Sequence, residues 1–133
     1  MATYSGNGLT GTFIADVDLS SYQYYLVAAA STAGKVKLSA TAAGSIIGVL
    51  QDDPVAGEEC NVVVFGPSKA LASSEDTASP LTYGGFVKSG SGGKATGFAN
   101  PDACAWAAGY TLQALASGSG TYVEMFVMPT RFV

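Results

Sequence analysis

Gly48-Val49-Leu50-Gln51-Asp52-Asp53-Pro54-Val55-Ala56-Gly57-Glu58-Glu59-Cys60-Asn61-Val62-Val63-Val64-Phe65 reads as strand, turn, strand. Pro54 fixes one corner of the turn and Gly57 is free to take positive φ. The β-branched run Val62 to Val64 is stiff at χ1 and favours extended backbone. The same pattern recurs downstream. Gly109-Tyr110-Thr111-Leu112 stands for Gly48-Val49-Leu50, Gly118 for Gly57, and Tyr122-Val123-Glu124-Met125-Phe126-Val127 for the valine run. Pro129-Thr130-Arg131 then answers Pro67-Ser68-Lys69. Upstream, Gly34-Lys35 is matched by Gly93-Lys94, and Tyr22-x-x-Tyr25-Leu26-Val27 by Tyr83-x-x-Phe86-Val87-Lys88. With 17 glycines in 133 residues, one matched pair would mean little. Six ordered anchors, each displaced by about sixty positions, read as an internal duplication.

Each copy carries strand, Gly-Lys turn, strand, glycine turn, strand, so the chain is built from hairpins. The expected fold is all-β. It is a single small β-barrel or β-tulip-like domain of short antiparallel strands, eight to ten by roughly counting turn signals, with an internal two-fold repeat. The repeat halves fall at about 19–69 and 80–131, within a β domain spanning 12–133. Residues 1–11 carry Gly6, Gly8 and Gly11 among polar neighbours and read as a flexible N-terminal arm. Tyr22 to Ala30 is the first long strand, and Val36 and Leu38 alternate inward against outward Lys35 and Lys37. Cys60 to Phe65 reads as a strand buried on both faces. Ala103 to Leu115 is the ambiguous stretch. Asp102 could cap a helix, but Gly109 in its middle and the repeat both favour a strand.

Composition sets the limits of function. One domain of this length buries enough surface to fold without disulfide or metal. Only 12% of residues are charged, the net charge is −4 and the pI is about 4.4. The six Lys and Arg are scattered, so there is no basic stripe to release counterions from nucleic acid. No apolar run reaches the length of about 20 residues that a membrane span needs. Met1-Ala-Thr-Tyr-Ser-Gly shows neither the basic nor the apolar region of a signal peptide, and synthesis in a host cytoplasm is expected. Cys60 and Cys104 lie at non-equivalent places in the two copies and read as reduced, buried small hydrophobes.

Candidate chemistry is sparse. The chain has no histidine, which removes the commonest general base and metal ligand. Ser68 and Lys69 are adjacent, so in a strand they point to opposite faces and cannot form a Ser-Lys pair. Asp52, Asp53, Glu58 and Glu59 crowd one turn without the spacing of a calcium loop. The sequence offers no catalytic, cofactor or metal residue, and no enzyme is expected. The aromatic residues Tyr22, Tyr24, Tyr25, Tyr83, Phe86, Trp106, Tyr110 and Tyr122 could form a sugar-stacking platform. The plainer expectation is that they fill the core and rim of a domain otherwise rich in small residues.

One resemblance goes further. Asn7-Gly8-Leu9-Thr10-Gly11-Thr12-Phe13, Asp18-Leu19-Ser20, Gly34-Lys35-Val36, Gly48-Val49-Leu50-Gln51-Asp52-Asp53-Pro54-Val55-Ala56-Gly57-Glu58 and Val62-Val63-Val64 resemble the capsid decoration, or head cement, proteins of tailed bacteriophages. The likeness departs over Ser89 to Ala108, where Pro101, Cys104 and Trp106 lie. It implies a virion protein on the outer capsid surface, a homotrimer binding the phage major capsid protein and cementing its subunits. The capsid-contact candidates under that reading are Tyr4, Asn7, Leu9, Thr10 and Phe13. A carbohydrate-binding β module on a virion or cell surface is the alternative.

Overall fold

The computed structural model describes residues 8–39, 45–74, 80–97, 106–115 and 120–131. Among the described residues nine strands run in chain order: β1 (Leu9–Ala15), β2 (Leu26–Ala29), β3 (Lys35–Leu38), β4 (Ile46–Leu50), β5 (Glu59–Leu71), β6 (Phe86–Ser89), β7 (Ala95–Gly97), β8 (Trp106–Thr111) and β9 (Tyr122–Arg131). A 3-10 turn, Ser91–Gly93, separates β6 from β7. The domain is all-β.

The strands pair in the order β1-β3-β2-β4-β5-β9-β8-β6-β7, and β1 also pairs with β5. That extra pairing closes β1, β3, β2, β4 and β5 into a five-stranded barrel. The remaining strands repeat the same connections. β5 pairs β9, β9 pairs β8, β8 pairs β6 and β6 pairs β7, all antiparallel. A single parallel bridge, Ala72 to Ala95, then joins the end of β5 to β7. It copies the parallel pairing of Ala15 with Val36 between β1 and β3. Two barrels thus share one 13-residue strand, β5. Its first half closes one barrel and its second half opens the other. Gly66, with φ of 123°, marks the crossing, where a side chain would strike the Gly8 backbone.

The registers verify the duplication and correct its alignment. Val27 faces Gly48 as Val87 faces Gly109. A Cβ on Gly48 would lie 2.0 Å from the Val63 carbonyl oxygen, and one on Gly109 would lie 2.0 Å from that of Phe126. Gly109 sits in a strand, as the repeat required. Two anchors move. Leu26 and Val27 correspond to Phe86 and Val87, one position away from the alignment by tyrosines. Gly57 corresponds to Gly120, not Gly118, which lies outside the described residues. Gly57 and Gly120 both take positive φ, and the carbonyl that follows each serves a matching bond: Glu58 O accepts from Ala15 N and Thr121 O from Ala72 N. The loops differ in length, which a constant offset could not register.

Three other expectations change. Leu9, Thr10 and Gly11, expected within an arm spanning 1–11, belong to the sheet, because they pair with Phe65, Val63 and Val62. The open edge of β5 supplies hydrogen-bond partners that a glycine-rich segment takes up despite its entropy cost. Tyr22 to Ala30 is not one long strand, since β2 begins only at Leu26. Tyr24 adopts φ of 68° and donates its N–H to the Leu50 carbonyl, turning the chain into β2. Its counterpart Gly84 has φ of 75° and donates likewise to Thr111. Finally, β1 and β3 are parallel, so the strands are not uniformly antiparallel.

The core follows from strand alternation. Ala15, Leu19, Val27, Val36, Leu50, Cys60 and Val62 fill the first barrel. Val87, Ala95, Val123 and Met125 fill the second, in one cluster with Leu26, Val49 and Val63 from the outer face of the first. Val62 and Val63 are therefore both buried, each in a different cluster. The double burial expected of that strand holds there. It is confined to that pair, since Asn61 and Phe65 are exposed and Val64 is half-buried.

Candidate interaction surface

Across the second barrel, Phe86 pairs with Tyr110 and Tyr110 with Phe126, all on the outer face. The Tyr110 and Phe126 rings stack with centroids 5.4 Å apart, and Phe65 meets Phe126 edge-on at 5.1 Å. Leu9 lies beside Phe65 across the β1–β5 ladder. Five strands thereby contribute to one apolar row: Leu9, Phe65, Phe126, Tyr110 and Phe86. Leu9 is 65% exposed and Phe86 45%, while Tyr110 and Phe126 are half-buried. A contiguous aromatic row on a barrel exterior is the pattern of an interaction surface, unlike single scattered apolar residues.

Sequence reasoning assigned Phe86 and Tyr110 to core and rim filling and Phe65 to a buried strand. The outward row was missed because aromatic residues in strands face either side equally well. Once the repeats are aligned by register, the signal is plain. Phe86, Tyr110 and Phe126 replace Leu26, Val49 and Val63 of the first copy, an aromatic residue for an aliphatic one each time.

Of the contact candidates, Tyr4 and Asn7 lie outside the described residues. Leu9 and Thr10 are exposed, and the Thr10 hydroxyl donates to the Gly8 carbonyl at 3.3 Å. Phe13 does not share their surface. It pairs with Cys60 and packs against the first-barrel core. The candidates therefore split: Leu9 and Thr10 face outward, and Phe13 is a packing residue.

Three of the acidic side chains hold turns. An Asp52 carboxylate oxygen accepts the Asn61 N–H at 3.1 Å, and a Glu58 carboxylate oxygen accepts the Val55 N–H at 2.8 Å. The Ser20 hydroxyl and amide hold the exposed Asp18 carboxyl below its usual range. Among the described residues, no group of three or more Asp, Glu, Cys or His is arranged for a metal. Ser68 and Lys69 diverge. Ser68 is buried, and its hydroxyl donates to the Lys69 carbonyl. The Lys69 ammonium lies over the rings of Tyr24 at 4.5 Å and Tyr122 at 5.1 Å. Those rings meet edge-on at 5.7 Å. This cation–π clamp ties the β1–β2 connection to the second barrel. Cys60 is free and buried, and burial, then the nearby Asp52 charge, push its thiol pKa up. Cys104 lies outside the described residues.

No family model matches the sequence, and no curated protein matches it significantly. Among solved structures, the fold is similar to that of the N base of head fiber gp8.5 of bacteriophage phi29. The TM-score is 0.61 at 16% identity, over 94% of this chain and 98% of that one. At that identity the likeness is one of fold. It extends to nearly the whole of both chains, so the double barrel is a shared architecture and not a common fragment.

Proposed function

We propose that this chain is a structural protein of a tailed-phage virion that sits on the outer surface of the head. There it binds the major capsid protein as a homotrimer and cements neighbouring subunits together. The observation that carries this reading is the near end-to-end fold likeness to a phage head fiber base. The independent resemblance of the Gly48–Glu58 stretch to head cement proteins points the same way. The physical profile is compatible. A cement protein needs no catalytic group, only a rigid body with an apolar contact surface. Weak contacts repeated over a shell then add through avidity.

A carbohydrate-binding module is the rival. Sugar sites set hydroxyl-bonding side chains beside their stacking rings, whereas the exposed row here is made of Leu9, Phe65, Phe86, Phe126 and one tyrosine. Purified chain is to be mixed with undecorated expanded heads of the phage that encodes it, then sedimented. Saturable co-sedimentation unaffected by free sugars supports the proposal. A chain left in the supernatant overturns it, and release by sugars favours the rival.

A further inference from the structure

The duplication places Glu124 where the first copy has Asn61. Val63 faces Val49 as Phe126 faces Tyr110, and Asn61 and Glu124 stand two residues earlier on each strand. The backbone bonds repeat with them. The Gln51 N–H donates to the Asn61 carbonyl, and the Leu112 N–H to that of Glu124, each at 2.9 Å. The N–H of Asn61 goes to the Asp52 carboxylate at 3.1 Å, and that of Glu124 to the Gln113 side-chain oxygen at 3.0 Å. Directly across the ladder, Thr12 faces Asn61 as Lys69 faces Glu124. There the likeness stops. The Asn61 side chain is engaged at both ends: its amide nitrogen donates to Asp52 and its oxygen accepts from the Thr12 hydroxyl, each at 3.5 Å. Lys69 instead turns its ammonium onto the rings of Tyr24 and Tyr122, at 4.5 and 5.1 Å, and Glu124 Oε2 is left buried with no hydrogen-bond partner. Opposite charges facing each other across a ladder ordinarily pair, and a buried carboxylate oxygen without a donor is destabilising. The second copy carries that defect two residues from Phe126 and on the same face of β9.

We propose that Glu124, at the edge of the Phe126–Tyr110–Phe86 ladder, receives an arginine side chain of a partner protein whose apolar neighbours cover the ladder. The clamp of Lys69 between Tyr24 and Tyr122 is what keeps the carboxylate free for it. Glu124 as a residue is only half-buried, and rotation about its broad terminal torsion exchanges the two oxygens, so Oε2 can be turned outward. The charge of the group selects a cation. Among the described residues no further acidic or thiol group joins it to make a metal site. A sugar is poorly suited, because the Tyr110 and Phe126 centroids lie 5.4 Å apart, about one strand spacing, so the stacked rings stand on edge and offer no open face. Between the two cationic side chains, arginine fits better. Its planar fork matches both carboxylate oxygens, and its weaker hydration makes burial beside an apolar row less costly than for an ammonium. The inference concerns the chemistry of the partner and is argued from the two copies, so it stands or falls without any head.

The test is a titration of the whole isotope-labelled chain, followed by amide and side-chain nuclear magnetic resonance shifts. The probe is acetyl-Leu-Arg-Leu-amide, and its control is the same peptide with citrulline, which keeps the shape of arginine and lacks its charge. The arginine peptide is expected to shift Glu124, Phe126 and Tyr110 and to leave Asn61 unmoved. It should half-saturate at a concentration about tenfold lower than the citrulline peptide, the effect of one hydrogen-bonded charge. Glu124→Gln should abolish that tenfold preference while the apolar contribution of the ladder stays. The comparison of the two peptides on the unmodified chain needs no variant, so it decides even if Glu124→Gln does not fold. Equal binding of the two peptides overturns the inference, as does no shift up to the solubility limit of the arginine peptide, or an arginine preference that survives in folded Glu124→Gln. Shifts at Glu124 produced by methyl glucoside or methyl galactoside would overturn it in favour of a sugar. Shifts there on merely concentrating the chain would overturn it in favour of the chain's own Arg131. None of these outcomes touches the virion proposal, which the co-sedimentation with heads tests separately.

Discussion

Gly48 and Gly109 show why particular residues are required at particular places. Each faces a neighbouring strand so closely that a Cβ would sit 2.0 Å from a carbonyl oxygen. Alanine at either position must push strands apart, and at Gly109 the φ of 151° adds backbone strain. We expect each substitution to cost about 2–3 kcal/mol, as overpacking does, read from urea unfolding. Gly34→Ala is the contrast. Its φ is 81° but a Cβ would meet nothing within 4 Å, so only about 1 kcal/mol of left-handed strain is expected. Cys60 gives a pH prediction. Its thiol pKa is raised in the fold, so the native state holds the proton more tightly than the unfolded chain. The stability this confers is complete below the ordinary thiol value and is lost as pH rises through the raised one. Cys60→Ala should therefore flatten the alkaline fall in stability measured by urea unfolding. An unchanged alkaline slope would mean that the thiol is not desolvated.

At the scale of elements, β5 is the member on which both barrels depend. Its first half pairs β1 and β4, and its second half pairs β9. Gly66→Val should bring its side chain against the Gly8 backbone and lower hydrogen-exchange protection in β1 and β9 together. Loss confined to one barrel would mean that they fold as separate units. The N-terminal boundary gives a second test. Removing residues 1–7 takes nothing from the described sheet, whereas removing residues 1–11 also takes Leu9, Thr10 and Gly11 from their pairing with β5. The melting temperature should hold for the first deletion and fall for the second. The existence of strands and hairpins was legible in the sequence because Gly-Lys turns, Asp-Asp-Pro and the valine run act locally. The sharing of β5, the parallel β1–β3 pair and the early start of β1 were not. Each depends on which distant edge is left open, and no local pattern records that. Tyr24 is the sharpest case, since a tyrosine at positive φ reads as strand in sequence and turns the chain in the structure.

For the whole molecule, duplication explains more than economy of sequence. A single copy would leave Leu26, Val49 and Val63 exposed, so the second barrel completes the core of the pair. An isolated 8–65 fragment is expected to aggregate or remain unfolded, as circular dichroism and light scattering would show. Function was legible only in outline. The absence of histidine and of a basic stripe restricted the classes, and the Gly48–Glu58 stretch carried the phage resemblance. The aromatic row stayed hidden because its residues look like core until the strand registers show which way they point. Of the five contact candidates, Phe13 is turned inward by the pairing of β1 with β5, while Leu9 joins the row.

The proposed cementing role is tested most directly by the stability of the shell itself. Undecorated heads packed with DNA would be heated with and without the purified chain, and DNA release followed by an intercalating dye. The account predicts that saturating chain raises the release temperature. Heads that bind the chain yet release DNA at an unchanged temperature would contradict it.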